Sequence, residues 1–232
     1  MLQNIKLLYG KKLEAKDGEI GHVKDFYFDD QGWVVRYLIA DTGTWLTGRQ
    51  VLLSPHAFGS LHQAGKHLLV NLTRKQIEGS PAIDSQKPVS RQHEEEYYRY
   101  YNWPYYWQGA EAWGMSAYPT LAQPLIPLPI ETTTATPSSG KHADTHLRST
   151  QSVRGYHVHA TDGEIGHVSD FKMDTKSWTI RQLVIETGNW FVGTDVLLPT
   201  TTVTRISYDE SMVFVNVTKA AIEKSPEYHG GK

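Results

Sequence analysis

The 232-residue chain contains no cysteine, which excludes disulfides, thiolate zinc sites and cysteine nucleophiles together. It also lacks an excess of charge: 23 Lys and Arg stand against 25 Asp and Glu, a formal net charge of −2. No global field therefore draws it to duplex nucleic acid or to an anionic membrane. No apolar run approaches the roughly 20 residues that span a bilayer, so membrane insertion is not expected. Residues Met1–Lys6 lack the basic head and apolar stretch of a secretory signal, and a cytoplasmic location is the expectation. Missing too are Gly-x-Ser-x-Gly, Gly-x-Gly-x-x-Gly and Gly-x-x-x-x-Gly-Lys-Ser/Thr, three common signatures of hydrolases, dinucleotide sites and phosphate-binding loops.

What the sequence does hold is a repeat. Asp17-Gly18-Glu19-Ile20-Gly21-His22-Val23 recurs letter for letter as Asp162-Gly163-Glu164-Ile165-Gly166-His167-Val168, at an offset of 145. The offset holds without a gap through Asp25-Phe26 and Asp170-Phe171, Trp33 and Trp178, Arg36 and Arg181, Thr42-Gly43 and Thr187-Gly188. It continues to Ser80-Pro81 and Ser225-Pro226, so that 27 of the 65 positions from Asp17 to Pro81 are identical. A unit of this size can just hold its own core, and two spaced copies read as two domains, over residues 1–84 and 150–232.

Within each unit, short β-rich runs alternate with Gly and Asp punctuation. Asp17-Gly18 and Asp162-Gly163 are turn signals before the runs Ile20–Asp29 and Ile165–Asp174. Phe26 and Phe28 share one face of the first run while Val23 falls on the other parity, and a bulge near Gly21 or Gly166 is expected to bring both sets inward. Trp33–Ala40 and Trp178–Ile185 read as buried strands. Thr73 and Thr218 are placed to cap short terminal helices. Five or six short strands and one short helix predict a mainly β fold of two tandem small closed β-barrels.

The order Asp-Gly-Glu-Ile-Gly-His-Val-x-Asp-Phe, Trp-x-x-Arg-x-Leu, Thr-Gly-x-Trp, Gly-x-x-Val-Leu-Leu and a last strand ending in Asn-x-Thr resembles the PRC-barrel family. That family includes the cytoplasmic domain of the photosynthetic reaction centre H subunit and the C-terminal domain of the ribosome maturation factor. The resemblance implies the barrel fold and a docking or regulatory role, and it brings no enzyme activity and no cofactor. A protein partner of unidentified kind is expected, a second copy of the chain included, and peripheral association with a membrane complex is compatible with the sequence.

Between the copies the chain is unique. Residues 85–118 read as an aromatic-rich helical segment starting at an N-cap Ser90 and ending at Asn102-Trp103-Pro104. Tyr97–Trp107 holds eight aromatics in eleven residues, too many for solvent. The rings pack on or between the barrels, or form a partner-binding surface of Tyr97, Tyr100, Tyr101, Trp103, Tyr105, Tyr106 and Trp107. Residues 119–149 are Pro- and Thr-rich and read as a linker with low order around 130–145. His22 and His167, each after a glycine and near an aspartate, are structural at a bulge or pH-sensing. His157 with His159, and His142 with His146, bring no third ligand for a metal. Arg36 and Arg181 are expected to pair with Asp41 and Glu186, or with Asp25 and Asp170.

Overall fold

The structure, a computed structural model, describes residues 1–58, 67–83, 89–120, 147–187, 195–225 and 228. The fold is mainly β, with thirteen strands in two sheets among these residues. The first sheet holds β2 (Lys12–Ala15), β3 (Gly18–Asp29), β4 (Val34–Asp41), β5 (Gln50–Leu53) and β6 (His67–Leu69), in the order β5-β4-β3-β2-β6. The second holds β8 (His157–Ala160), β9 (Gly163–Asp174), β10 (Ile180–Glu186), β11 (Asp195–Pro199), β12 (Val203–Ser207) and β13 (Met212–Val215), in the order β11-β10-β9-β8-β13-β12. Helices α1 (Arg74–Glu78) and α4 (Lys219–Glu223) follow the last strands, capped by Thr73 and Thr218 as the sequence predicts. The duplicated turn aspartates reach the same helices: Asp17 accepts from Arg74 N at 2.7 Å and Asp162 from Lys219 N at 2.8 Å. The low order expected around 130–145 concerns residues outside those described.

The closed barrel is corrected in one respect. Neither hydrogen-bonded path closes on itself among the described residues. The strands at its two ends, β11 and β12, are consecutive in the chain and joined by one 3-10 turn, Thr200–Thr202. That turn spends the Val203 N–H on Thr200 O, so the corner is made by the chain and not by a ladder. In the first sheet Phe58, the described residue equivalent to Val203, bridges Val70.

The parity change in the long strands also differs in place. The β3–β4 register shifts between Val23 and Asp25, and β10–β9 shifts between Val168 and Asp170, so Lys24 and Ser169 are the extra residues. Val23, Phe26 and Phe28 thereby all become buried. A second irregularity lies beside Gly21 and Gly166. These glycines are required by close approach: an added Cβ would sit 2.0 Å from Asp41 O and 2.1 Å from Glu186 O.

Two short strands reveal how the units join. β1 (Leu2–Asn4) pairs with β9 of the second sheet, and β7 (Leu147–Ser149) pairs with β3 of the first. Each twelve-residue strand has a four-residue hairpin partner along the first part of that edge, and the exchanged strand pairs with its last three residues. The registers Leu2 to Asp174 and Leu147 to Asp29 are the same pairing shifted by 145. Val34 bridges Thr179, its own repeat equivalent. Val35 N donates to Trp178 O at 2.8 Å and Ile180 N to Trp33 O at 2.7 Å. A pseudo-twofold axis thus passes between Val34 and Thr179, and the chain is folded as a dimer of its own halves. Trp33 and Trp178 adopt left-handed φ values of 55° and 58°. Buried rings and the cross-unit bonds at their carbonyls hold this unfavourable conformation.

The same symmetry gives Asp25 and Asp170 their role. Asp25 accepts from Ser149 Oγ, Thr150 Oγ and Gln151 N, at the start of α3 (Thr150–Val153), and from Phe26 N. Asp170 accepts from Lys6 N at 3.0 Å, at the start of the 3-10 turn Ile5–Leu8, and from Phe171 N. Each carboxylate therefore holds the arm of the opposite unit by its helical N-terminus. The expected ion pairs are corrected accordingly: Arg36 pairs with Asp29 at 3.0 Å, while Arg181 is exposed. Asp25 and Asp170 are already occupied by donors of the other unit, and Asp29 lies on the neighbouring strand.

Candidate functional site

The segment without a counterpart covers the first sheet. Ser90 caps α2 (Arg91–Tyr101), accepting from His93 N, and Asn102 ends the helix in the left-handed conformation at φ 53°. The buried side of α2 carries Glu94, Tyr97 and Tyr98. Strand β5 has β4 as its ladder partner and would otherwise leave its outer edge open. Tyr97 closes that edge, since its hydroxyl donates to Leu52 O at 3.1 Å and accepts from Ser54 N at 3.0 Å. Glu94, fully buried, accepts from Tyr37 at 2.9 Å and Tyr106 at 2.8 Å and pairs with Arg91 at 3.1 Å. Arg36 lies 3.8 Å from the centre of the Tyr106 ring and donates to Ala112 O. Trp113 reaches the other unit, donating to Ser177 O at 2.9 Å.

The repeat explains why only one unit is covered. In β4 all residues but the last are buried, whereas in β10 Arg181 is exposed and Gln182 half-buried. Gln182, Pro199 and Thr201 stand where the first unit has Tyr37, Ser54 and His56. The second face is polar enough for water, and the first is aromatic and needs the segment as a cover.

The seven aromatic candidates divide accordingly. Tyr97, Trp103 and Tyr106 are buried in the chain's own interior, which leaves Tyr97 no face for a partner. Tyr101, Tyr105 and Trp107 are half-buried, and Tyr100 is 44% exposed. Where the segment meets α1 a cavity of about 430 Å³ opens, lined by His56, Asn71, Leu72, Gln76, Tyr100, Tyr101 and Trp103. Its wall is a stack of rings. Trp103 lies on Tyr101 at 4.5 Å and 14°, and on His56 at 5.6 Å and 26°. Tyr100 and Tyr101 both direct their hydroxyls to Gln76 O, which fixes the rim. Sequence reasoning passed over His56, Asn71 and Gln76. The one signal for His56 was its place in the loop from His56 to Lys66, which shares nothing with Thr201–Ser211.

Burial sets the protonation of these groups. It pushes the His56 imidazole down to about 4, helped by the nearby Arg36 charge, so the ring is neutral. Burial raises the phenols of Tyr37, Tyr97, Tyr98 and Tyr106 and brings Tyr101 up to about 12. All are neutral hydrogen-bonding groups at ordinary pH. Desolvation also raises Asp25 and Asp170, against the bonds they accept. Asp29 is lowered: its desolvation is outweighed by the Arg36 charge and bonds.

The remaining candidates are dispersed. His22 is exposed in a shallow cleft with Lys12 and Trp45, and His167 stands 3.4 Å from Glu186. Neither is bonded to Asp25 or Asp170. His157 pairs with Glu164 and His159 packs on Phe214, while His142 and His146 lie outside the described residues. Among the described residues no three His, Asp or Glu side chains gather as metal ligands, and no helix is long and apolar enough to cross a membrane.

No curated protein matches the chain. The sequence profile of the PRC-barrel domain matches residues 5–77 and again residues 148–222, well over half the length. These spans carry the two sheets and their capped helices, and the chain belongs to the PRC-barrel domain family, with the domain present twice.

Proposed function

We propose that this protein is a non-enzymatic adaptor that docks a protein partner in the ring-lined groove between α1 and α2. The observation that carries the reading is the groove's position, at the seam between a duplicated unit and the one segment that was not duplicated. Its chemistry supports an extended segment bearing proline or other apolar side chains. The exposed ring of Tyr100 and the half-buried ring of Tyr101 offer apolar contact over the buried Trp103, and the Asn71 carboxamide and the Gln76 side-chain N–H groups can bond a peptide backbone. The neutral His56 adds no charge for a ligand to match. An array of proline-rich peptides, followed by titration on the Trp fluorescence, tests this. Tyr100→Ala/Asn71→Ala, at two exposed positions, is expected to weaken any peptide that binds by tenfold or more. Equal affinity in the variant, or no binder in a broad array, rejects the groove.

A second reading, a small-molecule or pH-responsive sensor between the barrels, has one observation in its favour. A crevice of about 390 Å³ at the junction is lined by Lys6 of the exchanged arm with Arg154, Gln151, His167 and Glu186. Two cations there suit a small anion. Thermal shift against anionic metabolites at several pH values separates the readings, because a peptide groove predicts no stabilisation by them.

A further inference from the structure

The junction is built largely by exchange of two arms that lie far apart in sequence. The arm Met1–Leu8 sits on the second unit through β1 and the Lys6–Asp170 bond. The arm Leu147–Val153 sits on the first through β7 and the three donors to Asp25. The central pair Val34 and Thr179 adds two backbone bonds. Between Thr120 and Leu147 run 26 residues, a chain whose reach when extended is at most about 90 Å. Nothing in these contacts requires the two partners to belong to one molecule: a second copy presents the same edge of β3, the same edge of β9 and the same two carboxylates in the same register.

We propose that this junction also forms between chains, giving a reciprocally exchanged dimer in which the first unit of each copy holds the second unit of the other. Its partner is therefore a second copy of this protein. Closure within one chain is favoured at low concentration, where the tethered unit competes at an effective concentration on the order of millimolar. Folding at high concentration favours the exchanged form, which then persists because release must break both arms together. The inference does not depend on the peptide groove.

The absence of cysteine makes the test direct. Leu2 and Asp174 are directly opposed in an antiparallel pair, whose Cα separation of about 4.5–5.5 Å lies in the range a disulfide spans. Full-length Leu2→Cys and Asp174→Cys chains, each with a single cysteine, are mixed in equal amounts, refolded at two concentrations tenfold apart and oxidised. The result expected is a cross-linked species of twice the chain mass, several-fold above that of either variant alone and rising with refolding concentration. The Leu2→Cys/Asp174→Cys double variant is expected to close within one chain at low concentration. Closure of the double variant with no mixed cross-link at either concentration overturns the exchange between chains. Failure of the double variant to close overturns the register on which it stands.

Discussion

Asp25 and Asp170 occupy equivalent places on either side of the pseudo-twofold axis, yet they hold different numbers of donors, and removing them separates the energetics of the two arms. Asp25 accepts two hydroxyls and one N–H from the opposite unit together with Phe26 N, whereas Asp170 accepts Lys6 N across the junction and Phe171 N within its own strand. A hydrogen bond to a charged group contributes about 1.5–3 kcal/mol, and an orphaned buried donor costs about 1–3 kcal/mol. Against this stands the cost of burying the carboxylate, visible in its raised proton affinity. The net loss for Asp25→Ala is about 3 kcal/mol, and for Asp170→Ala about 1–2 kcal/mol. Equilibrium unfolding in urea measures both. With a slope of about 2–3 kcal/mol/M the Asp25 variant is expected to shift its midpoint down by about 1–1.5 M, with one transition and an unchanged slope. A wild-type profile with two separated transitions, only one of which moves in Asp25→Ala, refutes the view that the exchanged arms make one cooperative body. So does an Asp170→Ala cost equal to or larger than that of Asp25→Ala.

Two further outcomes follow from the covered face. The folded state holds His56 neutral down to about pH 4, against an ordinary value of 6.5. The stability tied to this group is therefore complete above pH 6.5 and is lost as pH falls toward 4, by about 3 kcal/mol in all. Denaturant titrations at pH 7 and pH 4.5 are expected to show wild type losing about 2–3 kcal/mol more than His56→Gln over that interval; parallel losses dismiss a buried, neutral ring. Glu94→Ala leaves Tyr37, Tyr106 and Arg91 facing an empty acceptor site, and a loss of about 3 kcal/mol is expected. Thermal melts followed by near-UV circular dichroism check it, and a variant within 1 kcal/mol of wild type would place Glu94 outside the network that holds the cover.

The fold was legible because the repeated letters are those that geometry dictates. Gly21 and Gly166 stand where a carbonyl would meet any side chain, Thr73 and Thr218 cap helices, and Asp17 and Asp162 bind those helices' first N–H groups. Asp25 and Asp170 were visible as repeated residues, but their partners were not. A repeated carboxylate beside a repeated arginine suggests an ion pair, and nothing local to it announces an arm arriving from the other unit. The arms are nearly silent in sequence: Leu2 and Leu147 match, but Gln3-Asn4 faces Arg148-Ser149. Strand exchange depends on which edge of a long strand is left over, a property of length and pairing that single letters do not carry.

The groove was less legible, for a different reason. Tyrosine fills four of the five positions from Tyr97 to Tyr101, so the helical period that separates an inner from an outer face is hidden. Burial of Tyr97 and Tyr98 and exposure of Tyr100 follow from hydroxyl partners on β5, on Ser54 just after it and on α1, and not from hydropathy. The repeat still contained the clue. A face lined by Tyr37, Ser54 and His56 in one copy and by Gln182, Pro199 and Thr201 in the other cannot meet the same surroundings. Since the apolar strand positions were kept, the divergence of that one face marks where the copies stopped sharing a role. The segment that covers it is the segment that only one copy has.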